Sequence, residues 1–177
     1  MTLRRAVAVH PADSFAVEQE RATVTLAYED RFRRRVRLID DSGAAFLLDL
    51  AKATRLKDGD ELELAGDGPE DGGMIRVRAA LEPVLEVHFA DPSETARVAW
   101  HLGNRHVAVQ VVDASSLRVS ADHVIEGMLR GLGVVVKHRT SAFEPLGGAY
   151  GADALGGGHS HGSAKSYDKS GTHSHAH

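Results

Sequence analysis

After Pro83 the chain stops repeating every two residues and alternates between strand and helix patterns, which narrows its choice of fold sharply. Val84-Leu-Glu-Val-His-Phe89 reads as a strand. Asp91-Pro-Ser-Glu94 then opens a helix: Asp91 can cap, Pro92 suits the first helical position and Glu94 falls at the third. Ala96, Ala99, Trp100 and Gly103 recur at helical spacing, and Gly103-Asn104 ends the helix. Val107–Val112 is a strand, and Leu117–Ser120 pairs back through Asp113-Ala-Ser-Ser116. A second helix runs from about Ala121 to Leu132, with Val124, Ile125, Met128, Leu129 and Leu132 on one stripe, and Gly131-Leu-Gly133 stops it. Val134–His138 is the last strand. The order strand, helix, strand, strand, helix, strand is the ferredoxin-like βαββαβ arrangement, with both helices on one face of a four-stranded sheet.

The chain before this point reads as strands and turns. Ala22–Ala27 and Arg34–Ile39 alternate polar with apolar side chains, and Ala44–Leu50 is a short apolar run. Asp40-Asp-Ser-Gly43 makes a hairpin of the last two. Lys57–Asp60 is a second turn, before Glu61–Leu64, and Gly66–Gly73 a third, before Met74–Ala79. Short strands at regular spacing imply a small antiparallel sandwich or barrel. The expected class is therefore α+β: a mostly β domain over 1–80, a ferredoxin-like domain over 83–150 and a tail over 151–177.

The tail has almost nothing to bury and is expected to stay disordered. It holds five of the eleven histidines, in two His-x-His clusters: His159 and His161, then His173, His175 and His177. Imidazole suits Ni, Zn, Cu and Co, so the tail points to transition-metal handling. Interspersed Ser, Gly, Lys and Tyr distinguish it from an uninterrupted purification tag. With no cysteine, disulfides, thiolate nucleophiles and Cys-based metal sites are excluded. A formal charge of −4 gives no reason to expect nucleic acid or an anionic membrane as partner. The N-terminus has no long apolar region of a signal peptide, and no run approaches the roughly 20 apolar residues of a membrane span. A cytoplasmic protein is expected.

Six histidines lie outside the tail: His10, His88, His101, His106, His123 and His138. His101 and His106 flank the end of the first helix, and His123 lies in the first turn of the second. In this fold those two places can share one edge of the sheet, so His106 and His123 are the candidate pair. The run Arg31-Phe-Arg-Arg-Arg-Val-Arg37 is either a docking surface for an acidic partner or a solvated strand face. Paired catalytic carboxylates, a phosphate-binding Gly-x-x-x-x-Gly-Lys-Ser/Thr loop and a Gly-x-Ser-x-Gly elbow do not appear, so an enzyme is not expected.

Four segments in order carry a resemblance. They are His101-Leu-Gly-Asn-Arg-His106, Asp122-His-Val-Ile-Glu-Gly-Met-Leu-Arg130, Phe143-Glu-Pro-Leu-Gly-Gly-Ala-Tyr150 and the histidine-rich tail. Together they resemble the UreE family of urease accessory proteins, which are nickel metallochaperones. The first half of the chain matches more loosely, through its Arg-rich strand and Asp-Asp-Ser-Gly turn. The resemblance implies an N-terminal β domain of a partner- or peptide-binding type and a C-terminal domain that binds metal and forms a homodimer. It implies Ni²⁺ on His106 at the dimer interface, with His123 as a secondary ligand. Ala121 stands where some relatives carry a further histidine. Zn²⁺, Cu²⁺ and Co²⁺ should also bind in vitro. The implied partners are a urease-maturation GTPase and the complex of apo-urease with its accessory proteins. The alternatives are a nickel or zinc storage protein with no delivery target, and a β-domain peptide chaperone whose histidines are incidental.

Overall fold

A computed structural model describes residues 3–12, 14, 22–66 and 73–147. The turn expected over Gly66–Gly73 falls mostly outside them, as do Tyr150 and all five tail histidines. The described residues as far as Leu146 form one compact unit with two sheets.

The first sheet has six strands: β1 (Arg4–His10), β2 (Ala22–Leu26), β3 (Phe32–Ile39), β4 (Ala45–Arg55), β5 (Glu61–Leu64) and β6 (Met74–Ala79). Their spatial order is β2-β6-β5-β1-β4-β3. The β3–β4 hairpin forms as expected. Asp40 holds its turn by accepting from the backbone N–H of Ser42 (3.0 Å) and Ala44 (2.9 Å), and Gly43 takes φ +89°. Arg4 reaches the other Asp40 oxygen at 2.6 Å. That guanidinium, with the Ser42 hydroxyl, holds the Asp40 carboxyl well below the usual range.

Two features differ from expectation. The strand Arg4–His10 lies in the middle of the sheet, and the pairing is mixed, with β1–β4 and β2–β6 parallel. Each parallel pair is joined by a long stretch of chain, which periodicity within short segments does not reveal. The two end strands approach at Asp41, whose side chain accepts from Thr23 Oγ1 (2.5 Å) and from the Thr25 N–H (3.0 Å). Ala6, Phe46, Leu48, Leu56, Leu62, Ile75 and Val77 are fully buried on the inner face. Each large side chain removed from water there contributes roughly 1.5–3 kcal/mol.

The second sheet matches the expected βαββαβ order. It comprises β7 (Leu81–His88), α1 (Pro92–Gly103), β8 (Gln110–Asp113), β9 (Ser116–Ser120), α2 (His123–Gly131) and β10 (Val135–Ala142). The spatial order is β10-β7-β9-β8, with every neighbouring pair antiparallel. Strand β7 begins two residues before Pro83. Proline is tolerated because the Pro83 carbonyl accepts from Ala121 N–H (3.1 Å), beyond the last β9 residue. The missing N–H thus faces the side where the ladder has ended.

Asp91 caps α1 by accepting from the N–H groups of Ser93 (2.8 Å) and Glu94 (3.0 Å). Val98 and Leu102 form the buried stripe of α1, whereas Ala96, Ala99, Trp100 and Gly103, at the same spacing, face outward; Trp100 is 64 % exposed. On α2, Leu129 is buried, Ile125, Met128 and Leu132 pack against the core, and Val124 is exposed. The third strand is shorter than expected, since Val107–Val109 lie before the ladder, and β10 is longer, running to Ala142. Among the described residues no helix is long and apolar enough to cross a membrane.

Candidate metal-binding site

Helix α1 positions His106. After Gly103 the chain closes with His106 N–H to Gly103 O (2.9 Å) and Val107 N–H to Leu102 O (3.2 Å). This pair of bonds is the Schellman arrangement, whose left-handed position is usually glycine. Here that position is His106, with φ +55°, the one non-glycine residue at positive φ among those described. Val107 and Leu102 belong to the same packed cluster, which pins the turn. The His106 imidazole is exposed and makes no hydrogen bond or ion pair among the described residues. A histidine in this conformation costs about 1 kcal/mol or more. Neither packing nor hydrogen bonding of its ring compensates.

His123 is the first residue of α2, and it too is exposed. The Asp122 side chain caps the helix, accepting from Val124 N–H (2.8 Å) and Ile125 N–H (2.9 Å). These backbone bonds, with a smaller contribution from His123, lower the Asp122 carboxyl below its usual range. The ladder puts both histidines at one end of the second sheet. β9 finishes with Ser120 opposite Val84, near the start of β7, and α2 begins there; α1 runs back from the other end of β7 and finishes there. They are brought to one end but not into a cage: no group of three or more His, Asp or Glu able to hold a metal occurs among the described residues.

The other histidines differ. His10 Nε2 lies 2.8 Å from Glu63, His138 Nε2 lies 2.7 Å from Glu126, and His88 Nε2 lies 3.2 Å from Glu86. His101 is half-buried and meets Trp100 edge to face at 4.9 Å. His106 and His123 are thus the two exposed histidines that make no ion pair through their rings among the described residues.

A strap after β10 bears on this end of the sheet. Phe143 is buried against Tyr28 (5.2 Å, edge to face), and Arg31, fully buried, donates to the Phe143 carbonyl at 2.5 Å and pairs with Glu144. Glu144 N–H donates to Gln110 Oε1 (3.2 Å), and Leu146 N–H to Val109 O (2.9 Å). The compact unit therefore ends at Leu146 beside a residue only three positions after His106. Nothing in the sequence sets Arg31 apart from the other arginines of its run, or marks Gln110. The one available signal was the Phe143-Glu-Pro motif, which marks a segment but not its partners.

The fold and site together define an α+β protein with a ferredoxin-like half that offers exposed imidazoles at one end of its sheet. The family model for the UreE urease accessory protein N-terminal domain matches residues 6–80, and that for the C-terminal domain matches 82–177. The urease accessory protein UreE of Rhodobacter capsulatus is 43 % identical over 160 residues, covering 90 % of this chain and 94 % of that protein. UreE of Chelativorans sp. strain BNC1 is 42 % identical over 159 residues, 89 % and 96 % of the two chains. UreE of Bradyrhizobium sp. strain BTAi1 is 47 % identical over 137 residues, 77 % of this chain but 64 % of that longer protein. The chain belongs to the UreE family of urease accessory proteins, a family of accessory proteins rather than enzymes. It spans about three-fifths of the length of several relatives, such as the Bradyrhizobium one.

Proposed function

We propose that this protein acts in urease maturation as a nickel carrier: a cytoplasmic homodimer that collects Ni²⁺ and delivers it to the apo-urease assembly, with a GTPase as partner. The observation that carries this is His106, an imidazole held in solvent at a strained helix end with no partner of its own among the described residues. Among the described residues two monodentate imidazoles at most lie at this end, so an ion needs more. A two-fold axis would bring two copies of His106 to one ion. The outward face of α1, with Ala96, Ala99, Gly103 and exposed Trp100, is apolar surface suited to such a contact beside His106.

Water or tail histidines would complete the shell. His159 stands thirteen residues beyond Leu146, at most about 45 Å of extended chain, and Val109 lies within about 10 Å of chain from His106. The tail can therefore reach the site from where it leaves the compact unit. In this account His159, His161, His173, His175 and His177 raise local imidazole concentration, and His123 is a secondary ligand. An incomplete, replaceable shell suits transfer, because an acceptor can substitute ligands one at a time. The first sheet would face partner proteins.

Titration calorimetry with Ni²⁺ tests this. His106→Ala is expected to lose the tightest site, and truncation after Tyr150 to lower the number of ions bound while leaving the dimer intact. Unchanged stoichiometry and affinity in His106→Ala would overturn the proposal. A storage protein would hold nickel but show no transfer to apo-urease mixed with its accessory proteins.

A further inference from the structure

The outer face of the first sheet carries an arginine cluster that the metal chemistry does not use. Pairing across β3, β4 and β1 sets Arg37, Leu47 and Arg5 in one row and Arg35 and Asp49 in the next. The intervening row, Val36, Leu48 and Ala6, points into the core, so these rows point out. The Arg5 and Arg35 side chains are 57 % and 67 % exposed, and Arg37 is exposed without an ion pair among the described residues. Asp49 lies between two of them, 3.0 Å from Arg5 and 3.6 Å from Arg35. Three arginines against one carboxylate leave the patch at +2, on a chain of net −4. Half-buried Leu47 lies within it, and Ile39, 61 % exposed, follows along β3.

Charge on an end strand often serves only to prevent edge pairing. That accounts for arginines on β3. It does not account for Arg5, which sits on β1 in the interior of the sheet, nor for Arg5, Arg35 and Arg37 surrounding an apolar centre.

We propose that this face docks an acidic protein segment in extended conformation, whose side chains on the sheet-facing side are two carboxylates followed by an apolar residue. Arg35 and Arg37, two residues apart on one strand, stand about 6.5–7 Å apart, the spacing of alternate side chains on an extended chain. Guanidinium groups bind carboxylates through paired hydrogen bonds, and Ile39, two residues beyond Arg37 on the same face of β3, offers contact for the apolar side chain that follows them, with Leu47 alongside. The same apolar centre, and the net negative charge of the whole chain, disfavour a polyphosphate or anionic lipid surface. The inference stands independently of the metal chemistry.

The full chain, isotopically labelled, is titrated with a capped peptide of about ten residues built on Glu-Ser-Glu-Ser-Val, and affinity is measured by anisotropy of the labelled peptide. Shift changes are expected on β1, β3 and β4 around Leu47. Affinity should fall about tenfold in Arg35→Gln/Arg37→Gln and stay within about threefold in Arg35→Lys/Arg37→Lys. It should also fall severalfold between about 50 and 300 mM salt, as the screening length shortens. Circular dichroism checks that the variants, altered only at exposed positions, remain folded. Absence of binding, shifts elsewhere, or undiminished affinity in the glutamine pair would overturn the proposal. So would tighter binding of duplex DNA or phosphatidylserine vesicles to the same face.

Discussion

Replacing His106 by glycine should make the metal-free protein more stable while removing its principal ligand. At φ +55° an L-residue pays a steric penalty of about 1–2 kcal/mol that glycine lacks. Glycine gives back roughly 0.5–1 kcal/mol through the greater freedom of its unfolded chain. The exposed imidazole has no hydrogen bond or ion pair to lose among the described residues. The net gain is about 0.5–1 kcal/mol, or roughly 1–4 °C in Tm for a chain of this size. His106→Ala removes the same ligand but keeps a Cβ at positive φ, so its Tm should match wild type within about 1 °C. Scanning calorimetry in chelator compares the three proteins. Saturating Ni²⁺ should then reverse the order: a ligand at about a hundredfold its Kd stabilises by about 2.7 kcal/mol, more than the strain released. A His106→Gly protein no more stable than His106→Ala without metal would refute the strain argument.

Two further predictions concern buried charge. The Arg118 guanidinium, 2.8–2.9 Å from Glu86, is the main reason that carboxyl lies below its ordinary value of 4.5, against the opposing effect of burial. A depressed folded pKa gives stability that is complete above about pH 4.5 and is lost as pH falls through the lower folded value. Arg118→Gln should therefore cost about 2 kcal/mol at neutral pH, with the deficit shrinking in acid, as followed by thermal melts across pH; a pH-independent deficit would contradict the assignment. Arg31→Ala, which removes the guanidinium donor of the Phe143 carbonyl and leaves Glu144 with the Asp58 N–H alone, should cost about 3 kcal/mol and lower Tm by roughly 6–12 °C. Arg31→Lys should recover only part of this loss in the same melt, since one ammonium cannot reproduce the fork.

Local chemistry made much of this structure legible. Asp91 caps the helix it precedes, Asp40–Gly43 turns the hairpin, and the βαββαβ order follows from segments whose periods are clear, although the second helix starts at His123 behind an Asp122 cap rather than at about Ala121. What was not legible depends on distant partners. The strand Arg4–His10 has no clear signal because its apolar side chains are small and most are half-buried, so its alternation is weak; its place in the sheet comes from pairing with β4 and β5. On α1 two stripes share the helical period, and only packing against the sheet selects Val98 and Leu102 over Ala96, Ala99 and Trp100. Arg31 looks like its neighbours in sequence and is set apart by Glu144, more than a hundred residues away. His106 could be named as a candidate from its motif, but its left-handed backbone could not, because no glycine marks the turn.

Anomalous diffraction at the nickel edge, on crystals of the Ni²⁺-loaded full chain, tests the carrier account most directly. The account predicts one peak on a molecular two-fold axis, about 2.1 Å from a ring nitrogen of His106 in each of two subunits. Nickel found only on tail histidines, or at His123 with His106 unliganded, would contradict it.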